Sequence, residues 1–90
     1  MKLGKCLILE EGEIVIGGNG WGRNFFIGSG AYEILKEESS LGLYLVLSTG
    51  ERMYGYFPLH KYNEETKSFG FVRELRDELV SYFDKQEEEK

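Results

Sequence analysis

The segment LGLYLVLSTGERMY, residues 41–54, has the clearest strand pattern of this chain. Leucine occupies every second position from Leu41 to Leu47, and the residues between are also mostly apolar, which is typical of a central strand. A polar, glycine-containing turn follows at Thr49 to Arg52, and the alternation resumes at Met53. We therefore predict a hairpin whose first strand lies in the middle of an antiparallel sheet.

Further strands are predicted on both sides of this hairpin. Lys5 to Leu9 and Ile14 to Ile16 flank a polar turn and read as another hairpin. The glycine-rich run Gly17 to Gly22 then connects to a strand at Asn24 to Ile27. Ala31 to Glu38 has a composition that favours a short helix, but it could pair with residues 43–47, and we favour a strand.

Beyond the hairpin, Pro58 either ends the strand that starts at Met53 or places it at a sheet edge. Asn63 to Thr66 is a polar reversal. Ser68 to Val72 is either a last strand or the entry to a helix.

A C-terminal amphipathic helix is predicted from about Val72 to Phe83. At helical spacing, one stripe is apolar and the opposite stripe is acidic. Arg76 falls within the apolar stripe, and Gln86 to Lys90 should fray. The apolar positions are Val72, Leu75, Leu79, Val80 and Phe83, and the polar ones are Glu74, Asp77, Glu78, Ser81 and Asp84. The predicted fold class is α+β, with a strand-rich antiparallel sheet or partly open barrel of about five strands packed by this helix.

Length and composition limit the class of protein. Ninety residues suffice for a single domain, 1–90, with one modest core. No apolar run approaches the roughly 20 residues of a membrane span, and the N-terminal residues lack the apolar centre of a secretory signal. With the single cysteine, this predicts a cytoplasmic location. The net charge is −5, and residues 63–90 hold nine acidic against five basic side chains, which disfavours nucleic acid as a partner.

The sequence contains no recognisable catalytic, cofactor or metal motif. Gly17 to Gly22 matches neither the dinucleotide fingerprint nor a P-loop, and its glycines predict a turn beside a close backbone contact. His60 is the only histidine, and no spacing identifies a partner for it. Cys6 lies in a predicted strand, where a buried small side chain is the expected role. We predict no catalytic residues, no cofactor and no metal.

The leading functional prediction is a non-enzymatic binding or regulatory protein that docks on another protein. Such a protein could be a stoichiometric inhibitor or adaptor, including the type encoded by phages and mobile elements. Trp21 is either a contact on an open glycine loop or a plug that completes the core. The predicted contacts are Trp21, Arg23, Tyr54, Tyr56 and Arg76, and an alternative acidic surface comprises Glu74, Asp77, Glu78 and Asp84.

Three other functions are weighed against protein docking. The first is a small-ligand binder that holds an anionic metabolite or nucleotide at Gly17 to Gly30 with Trp21 and Arg23. The second is a single-stranded nucleic-acid platform, for which the candidates are Arg52, Tyr54, Tyr56, His60 and Lys61. The third, an enzyme, would require His60 to meet a carboxylate or Cys6. A homodimer is left open.

Overall fold

The computed structural model describes residues 1–18, 22–39 and 42–88. Over these residues the chain forms nine strands and then one helix. The strands are β1 (Lys2–Leu3), β2 (Cys6–Leu9), β3 (Glu13–Gly18), β4 (Asn24–Ile27), β5 (Gly30–Ser39), β6 (Gly42–Leu47), β7 (Arg52–Tyr54), β8 (Pro58–Asn63) and β9 (Ser68–Glu74), and the helix is α1 (Arg76–Glu88).

All strand pairs are antiparallel, and the sheet curls into a half-barrel with α1 at its C-terminal end. The predicted strand-rich antiparallel sheet with a terminal helix is confirmed, but the count of about five strands is wrong. Several strands are very short, and β1 has only two residues. The chain from Met53 onward also divides at Gly55, whose φ of 77° ends β7 before Pro58 begins β8.

The strand order is β1-β2-β5-β6-β7-β3-β8-β9, with β4 added beside β3. Val15 is the branch point, because it pairs with Ile27 of β4 on one edge of β3 and with Leu59 of β8 on the other. At the far end of β3, Gly18 pairs with Tyr54 of β7. The strands β9, β8, β3 and β4 therefore lie side by side.

The predicted hairpin is confirmed over residues 42–54, and Leu41 lies outside the described residues. β6 pairs with both β5 and β7, so it is a central strand. The Gly50 amide donates to the Leu47 carbonyl at 2.8 Å and closes the turn. Residues 31–38 lie within β5, which confirms the prediction of a strand at this segment. The N-terminal part of β5 pairs with β2, and its C-terminal part pairs with β6.

The predicted hairpin between Lys5–Leu9 and Ile14–Ile16 is wrong. The turn between them forms, and the Glu13 amide donates to the Glu10 carbonyl at 3.0 Å. However, β2 pairs with β1 and β5, whereas β3 pairs with β4, β7 and β8. β2 and β3 do not pair with each other because each forms its backbone hydrogen bonds with strands elsewhere in the chain.

α1 begins later than predicted. Ser68–Glu74 forms β9, which settles that segment as a strand, and the Leu75 amide then donates to the Phe57 carbonyl at 2.7 Å. Because the β8–β9 ladder uses these backbone groups, the helix starts only at Arg76 and continues to Glu88, past the predicted fraying point. Asp77 and Glu78 in its first turn favour this start through the helix dipole.

The core lies on the concave face of the half-barrel, under α1. Leu75 and Leu79 of the predicted stripe are buried and Phe83 packs against the core, whereas Val72 and Val80 are exposed. The buried apolar residues are Leu7, Leu9, Val15, Ile27, Ile34, Leu45, Leu47, Met53, Phe57, Leu59, Leu75 and Leu79.

Candidate docking surface

The outer face of the sheet is defined by the alternation along β3. Glu13, Val15 and Gly17 are buried, whereas Ile14, Ile16 and Gly18 are only half-buried. Successive residues of a strand point to opposite faces, so the half-buried residues mark the side away from the core.

Paired residues of neighbouring strands share a face, and the register therefore extends this outer side across four strands. Ile14 pairs with His60, which pairs with Phe71. Ile16 pairs with Phe26, and Tyr62 pairs with Phe69. We call the resulting surface the outer patch; it comprises Ile14, Ile16, Phe26, His60, Tyr62, Phe69 and Phe71.

The aromatic members of the outer patch are unusually exposed for large apolar side chains. The exposed fractions are 57% for Phe26, 59% for Phe71, 50% for Phe69 and 42% for Tyr62. The reason is topological: residues 61–74 are exposed throughout, so no core lies behind the distal part of the β8–β9 hairpin. Its aromatic side chains can bury surface only against one another or against a partner.

Ring contacts order this part of the surface. The His60 and Phe71 ring centroids are 5.6 Å apart in an edge-on arrangement, and those of Tyr62 and Phe69 are 5.1 Å apart. Such pairs add about 0.5–1.5 kcal/mol each beyond area burial. The hairpin turn is also ordered, because the Asn63 side-chain oxygen accepts from the Glu65 amide at 2.9 Å. This confirms the polar reversal at Asn63 to Thr66.

His60 occupies the middle of this surface. Its neighbours in the register are Ile14 and Phe71, and its Nδ1 atom is buried without a hydrogen-bond partner among the described residues. Cys6 lies in β2, opposite Glu33. The sheet therefore does not place His60 next to Cys6, which is one of the two arrangements that an enzyme would have required.

Tyr54 lies at the margin of the outer patch. It pairs with Gly18, which shares a face with Ile16, so it points to the same side of the sheet. Its ring centroid is 6.2 Å from that of Tyr44. The Glu37 carboxylate accepts from Tyr44 and raises the pKa of its hydroxyl, and the Arg52 guanidinium lies 5.9 Å from the Tyr44 ring. Tyr54 thus borders a small cluster of Glu37, Tyr44 and Arg52, whose polar groups interact with one another.

Tyr56 lies in a different environment. The turn at Gly55 interrupts the alternation that would align Tyr56 with Tyr54. Its hydroxyl donates to the Glu74 carboxylate at 2.6 Å, and this bond raises the pKa of Tyr56 above the ordinary 10.0. Tyr54 and Tyr56, both candidates for a nucleic-acid platform, therefore have different contacts: Tyr54 lies beside Tyr44, and Tyr56 is bonded to Glu74.

Arg76 does not occupy the core stripe. It is the first residue of α1 and is exposed, because the face that meets the core is centred on Leu75, Leu79 and Phe83 and leaves both Arg76 and Val80 outside it. Of the acidic candidates, Glu74 accepts a hydrogen bond from Tyr56, and the Glu78 carboxylate forms an ion pair with Arg73, whose Nε lies 3.1 Å away. Asp77 and Asp84 are exposed on α1.

An open cavity of about 470 Å³ lies between the first strand and the helix. Its lining includes two carboxylates and one lysine, a charge balance that does not suit an anionic ligand. The lining residues are Leu3, Asp77, Glu78, Ser81, Tyr82 and Lys85.

The glycine loop is only partly described. Trp21 lies outside the described residues, so its two predicted roles stay predictions. Arg23 is exposed just before β4. Gly17 and Gly18 belong to β3, and a Cβ atom built on Gly17 would lie 2.6 Å from Met53 Cε. At Gly17 and Gly18 the predicted turn is therefore wrong, and the close neighbour of Gly17 is the Met53 side chain, not a backbone group.

Cys6 is exposed, so the prediction that it is buried is wrong. Leu7 and Leu9 of the same strand point toward the core, and Cys6 therefore points away from it. Within the described ranges, no three His, Cys, Asp or Glu side chains form a metal-binding group. No helix in residues 1–18, 22–39 and 42–88 has the length and apolar character that a bilayer crossing requires.

One charged side chain is buried among the described residues, that of Glu13. Its carboxylate lies 2.8 Å from the Met1 amino group and accepts from the Glu10 amide at 2.8 Å. Burial raises the pKa of Glu13, but these hydrogen bonds and the charges of Met1 and Lys61 lower it overall. Sequence alone did not indicate this interaction, since Glu13 resembles the other turn carboxylates.

Comparisons of the chain with protein-family models, curated proteins and solved structures return no match. The outer patch was missed from sequence because its members come from four strands. A partial signal existed: with Asn63 to Thr66 as the turn, Tyr62 and Phe69 face each other, and so do His60 and Phe71.

Proposed function

We propose that this protein acts by docking on another protein through the outer patch. The observation that supports the proposal most directly is the set of four aromatic side chains, each at least 42% exposed, on one face of neighbouring strands. Contiguous exposed apolar surface of this kind is typical of interaction sites, whereas singly scattered apolar residues are ordinary.

The dimensions of the outer patch suit the centre of an interface. Four strands at a spacing of about 4.8 Å make it about 15 Å across before the breadth of the side chains is added. Interfaces of standard size combine such an apolar centre, enriched in aromatic residues, with a polar rim. Here Lys67 in the hairpin turn is exposed and can contribute to that rim.

The composition of the outer patch also supports docking over catalysis or anion binding. The histidine at its centre contacts apolar side chains, and the candidates for a nucleic-acid platform are divided between Tyr54 beside Tyr44 and Tyr56 beside Glu74. An apolar surface gains most from a dry contact with another apolar surface, at about 25 cal/mol per Å². We therefore expect the partner to present an apolar surface.

The experiment compares two double variants by quantitative affinity capture from the native host at physiological salt. Phe26→Ala/Phe71→Ala truncates the outer patch, and Leu35→Ala/Val80→Ala truncates exposed apolar side chains outside it. A protein captured by the wild type should be retained by the control and lost by the patch variant. Titration with the purified partner should show at least about 30-fold weaker binding, since interface anchors contribute about 2 kcal/mol or more.

Equal capture by both double variants would reject the outer patch as the docking surface. Absence of any specifically captured protein would remove the support for a docking function altogether. Phe26→Ala alone serves as a further check, because Phe26 lies on β4, remote from the edge of the sheet at β9.

A further inference from the structure

β9 is the last strand of the sheet, and one of its edges is open. Among the described strands it pairs only with β8. All seven of its residues are exposed. An open edge strand presents a row of backbone donors and acceptors that another strand can pair with, and proteins commonly block such edges with lysine or proline. β9 contains neither residue, and the charged residues and the bulge that it does contain lie in its C-terminal part, after Phe71.

The register identifies the backbone groups that face outward. The Tyr62 amide donates to the Gly12 carbonyl of the β3 side at 2.8 Å. Backbone groups of successive residues point to opposite edges of a strand, so Lys61 faces β9, and its partner Gly70 faces back to β8. The amide and carbonyl groups of Phe69 and Phe71 therefore point to the open edge.

We propose that β9 pairs antiparallel with β9 of a second copy, about a two-fold axis that passes beside Gly70. In this register the outward groups of Phe69 meet those of Phe71 of the second copy, and the reverse pair follows by symmetry. Gly70 lies opposite its own counterpart. A Cβ atom built on Gly70 has no heavy atom within 4 Å, so no side chain of the same copy blocks this approach.

The residues around the axis are complementary to themselves. Ser68 to Phe71 carry no charge, and Ser68 lies opposite Val72 of the second copy. Lys67 lies in the hairpin turn and would approach Arg73 of the second copy, and repulsion between these like charges disfavours extension of the ladder beyond Ser68 and Val72. β9 is also irregular between Phe71 and Arg73, where a bulge adds one residue relative to β8. The proposed pairing is therefore regular from Phe69 to Phe71, and the bulged residue Val72 lies at its end.

The dimer would join the two outer patches on one face. A two-fold axis perpendicular to the sheet keeps the same face up in both copies, and each Phe69 would continue the aromatic row into Phe71 and His60 of the second copy. The joined surface spans eight strands, about 34 Å at 4.8 Å per spacing. This inference stands independently of the proposed function, because it rests on the backbone edge of β9.

The ladder is short, so the dimer should be weak. Contacts below about 1,200 Å² of total buried area belong to transient complexes, and we expect dissociation constants of about 10–100 µM. Sedimentation equilibrium of the wild type from about 5 to 500 µM should show a concentration-dependent monomer–dimer transition centred in that range. A mass that stays monomeric throughout would overturn the proposal.

Disulfide trapping tests the register. The native thiol is first removed by Cys6→Ser, because Cys6 is exposed. In this background Gly70→Cys places two thiols across a non-hydrogen-bonded pair, where Cα atoms are about 4.5 Å apart and a disulfide can form. The control is Ser29→Cys, an exposed position outside β9. At 100 µM protein, Gly70→Cys should cross-link at least about tenfold faster than the control. Equal rates would overturn the proposal.

A matched pair of variants isolates the backbone contribution. Phe69→Ala keeps the outward amide, and Phe69→Pro removes it without removing a donor from the β8–β9 ladder. Circular dichroism verifies that both variants fold. Phe69→Ala should weaken the dimer, and Phe69→Pro should abolish it. Indistinguishable dimerisation of the two variants would contradict edge pairing, and if Phe69→Pro does not fold, the cross-linking rates decide.

Discussion

Substitution of Gly17 by alanine should destabilise the protein, although alanine at a strand position usually does the opposite. Gly17 is buried in β3, and a Cβ atom there would lie 2.6 Å from Met53 Cε, 3.1 Å from Met53 Cβ and 3.3 Å from Met53 Cγ. The terminal methyl group of Met53 can rotate away, but its Cβ atom is fixed to the backbone of β7. Met53 is also buried, so the displaced side chain has little free space.

The magnitude follows from two opposing terms. Replacing glycine by alanine reduces the entropy of the unfolded chain and stabilises by about 0.4–1 kcal/mol where the conformation permits it. Overpacking a buried site costs about 1–3 kcal/mol. We therefore expect Gly17→Ala to lower the free energy of unfolding by about 0.5–2 kcal/mol, which in a domain of this size lowers Tm by roughly 4–8 °C for each kcal/mol.

Gly18→Ala is the matched control on the same strand. Its Cβ atom would lie 3.7 Å from the Tyr54 carbonyl oxygen, an ordinary contact, so it should be neutral or slightly stabilising. Urea denaturation followed by circular dichroism measures both variants, and Gly17→Ala should be about 1–3 kcal/mol less stable than Gly18→Ala. In a Met53→Ala background the cost of Gly17→Ala should shrink. Stabilities within about 0.5 kcal/mol of each other would refute the packing argument.

Two further predictions concern polar groups in the sheet. In a chain with a free Met1 amino group, the pKa of Glu13 is lower in the folded state than its ordinary value of 4.5. The ionised Glu13 carboxylate therefore contributes its full stabilisation above pH 4.5, and this stabilisation is lost as the pH falls through the lower pKa of the folded state. Glu13→Gln should therefore be less stable near pH 7 and show a flatter pH dependence below pH 4.5 in urea titrations, whereas exposed Glu10→Gln should follow the wild type. Replacing His60 by phenylalanine should raise the free energy of unfolding by about 1 kcal/mol, because it removes a buried unpartnered nitrogen and preserves the contact with Phe71. Thermal melts measure the change, and a lower Tm for His60→Phe would show that the Nδ1 atom makes a favourable interaction in the wild type.

Local pattern was sufficient for several elements of the fold. The alternation at residues 41–47 and the turn that follows predicted β6 and its hairpin with β7. The apolar spacing of Leu75, Leu79 and Phe83 predicted the helix face that meets the core. In each case the information lies within a few residues, because side-chain period and turn chemistry are local properties of the chain.

Predictions from local pattern were wrong where a segment pairs or packs with residues that are far away in the sequence. β2 and β3 do not form a hairpin because β2 pairs with β5 and β3 with β4, β7 and β8. Val72 is not helical because its segment forms β9 and pairs with β8. Cys6 is exposed because Leu7 and Leu9 determine which face of β2 is buried.

An antiparallel sheet with a terminal helix could be predicted from the sequence, since period-two and helical patterns can be identified one segment at a time. The neighbours of each strand became known only from the fold. These pairings bring Phe26, His60 and Phe71 to one face and leave the edge of β9 open. The physical reason is that backbone hydrogen bonds make any two strands compatible, so the burial of the whole core selects among pairings that no single segment distinguishes.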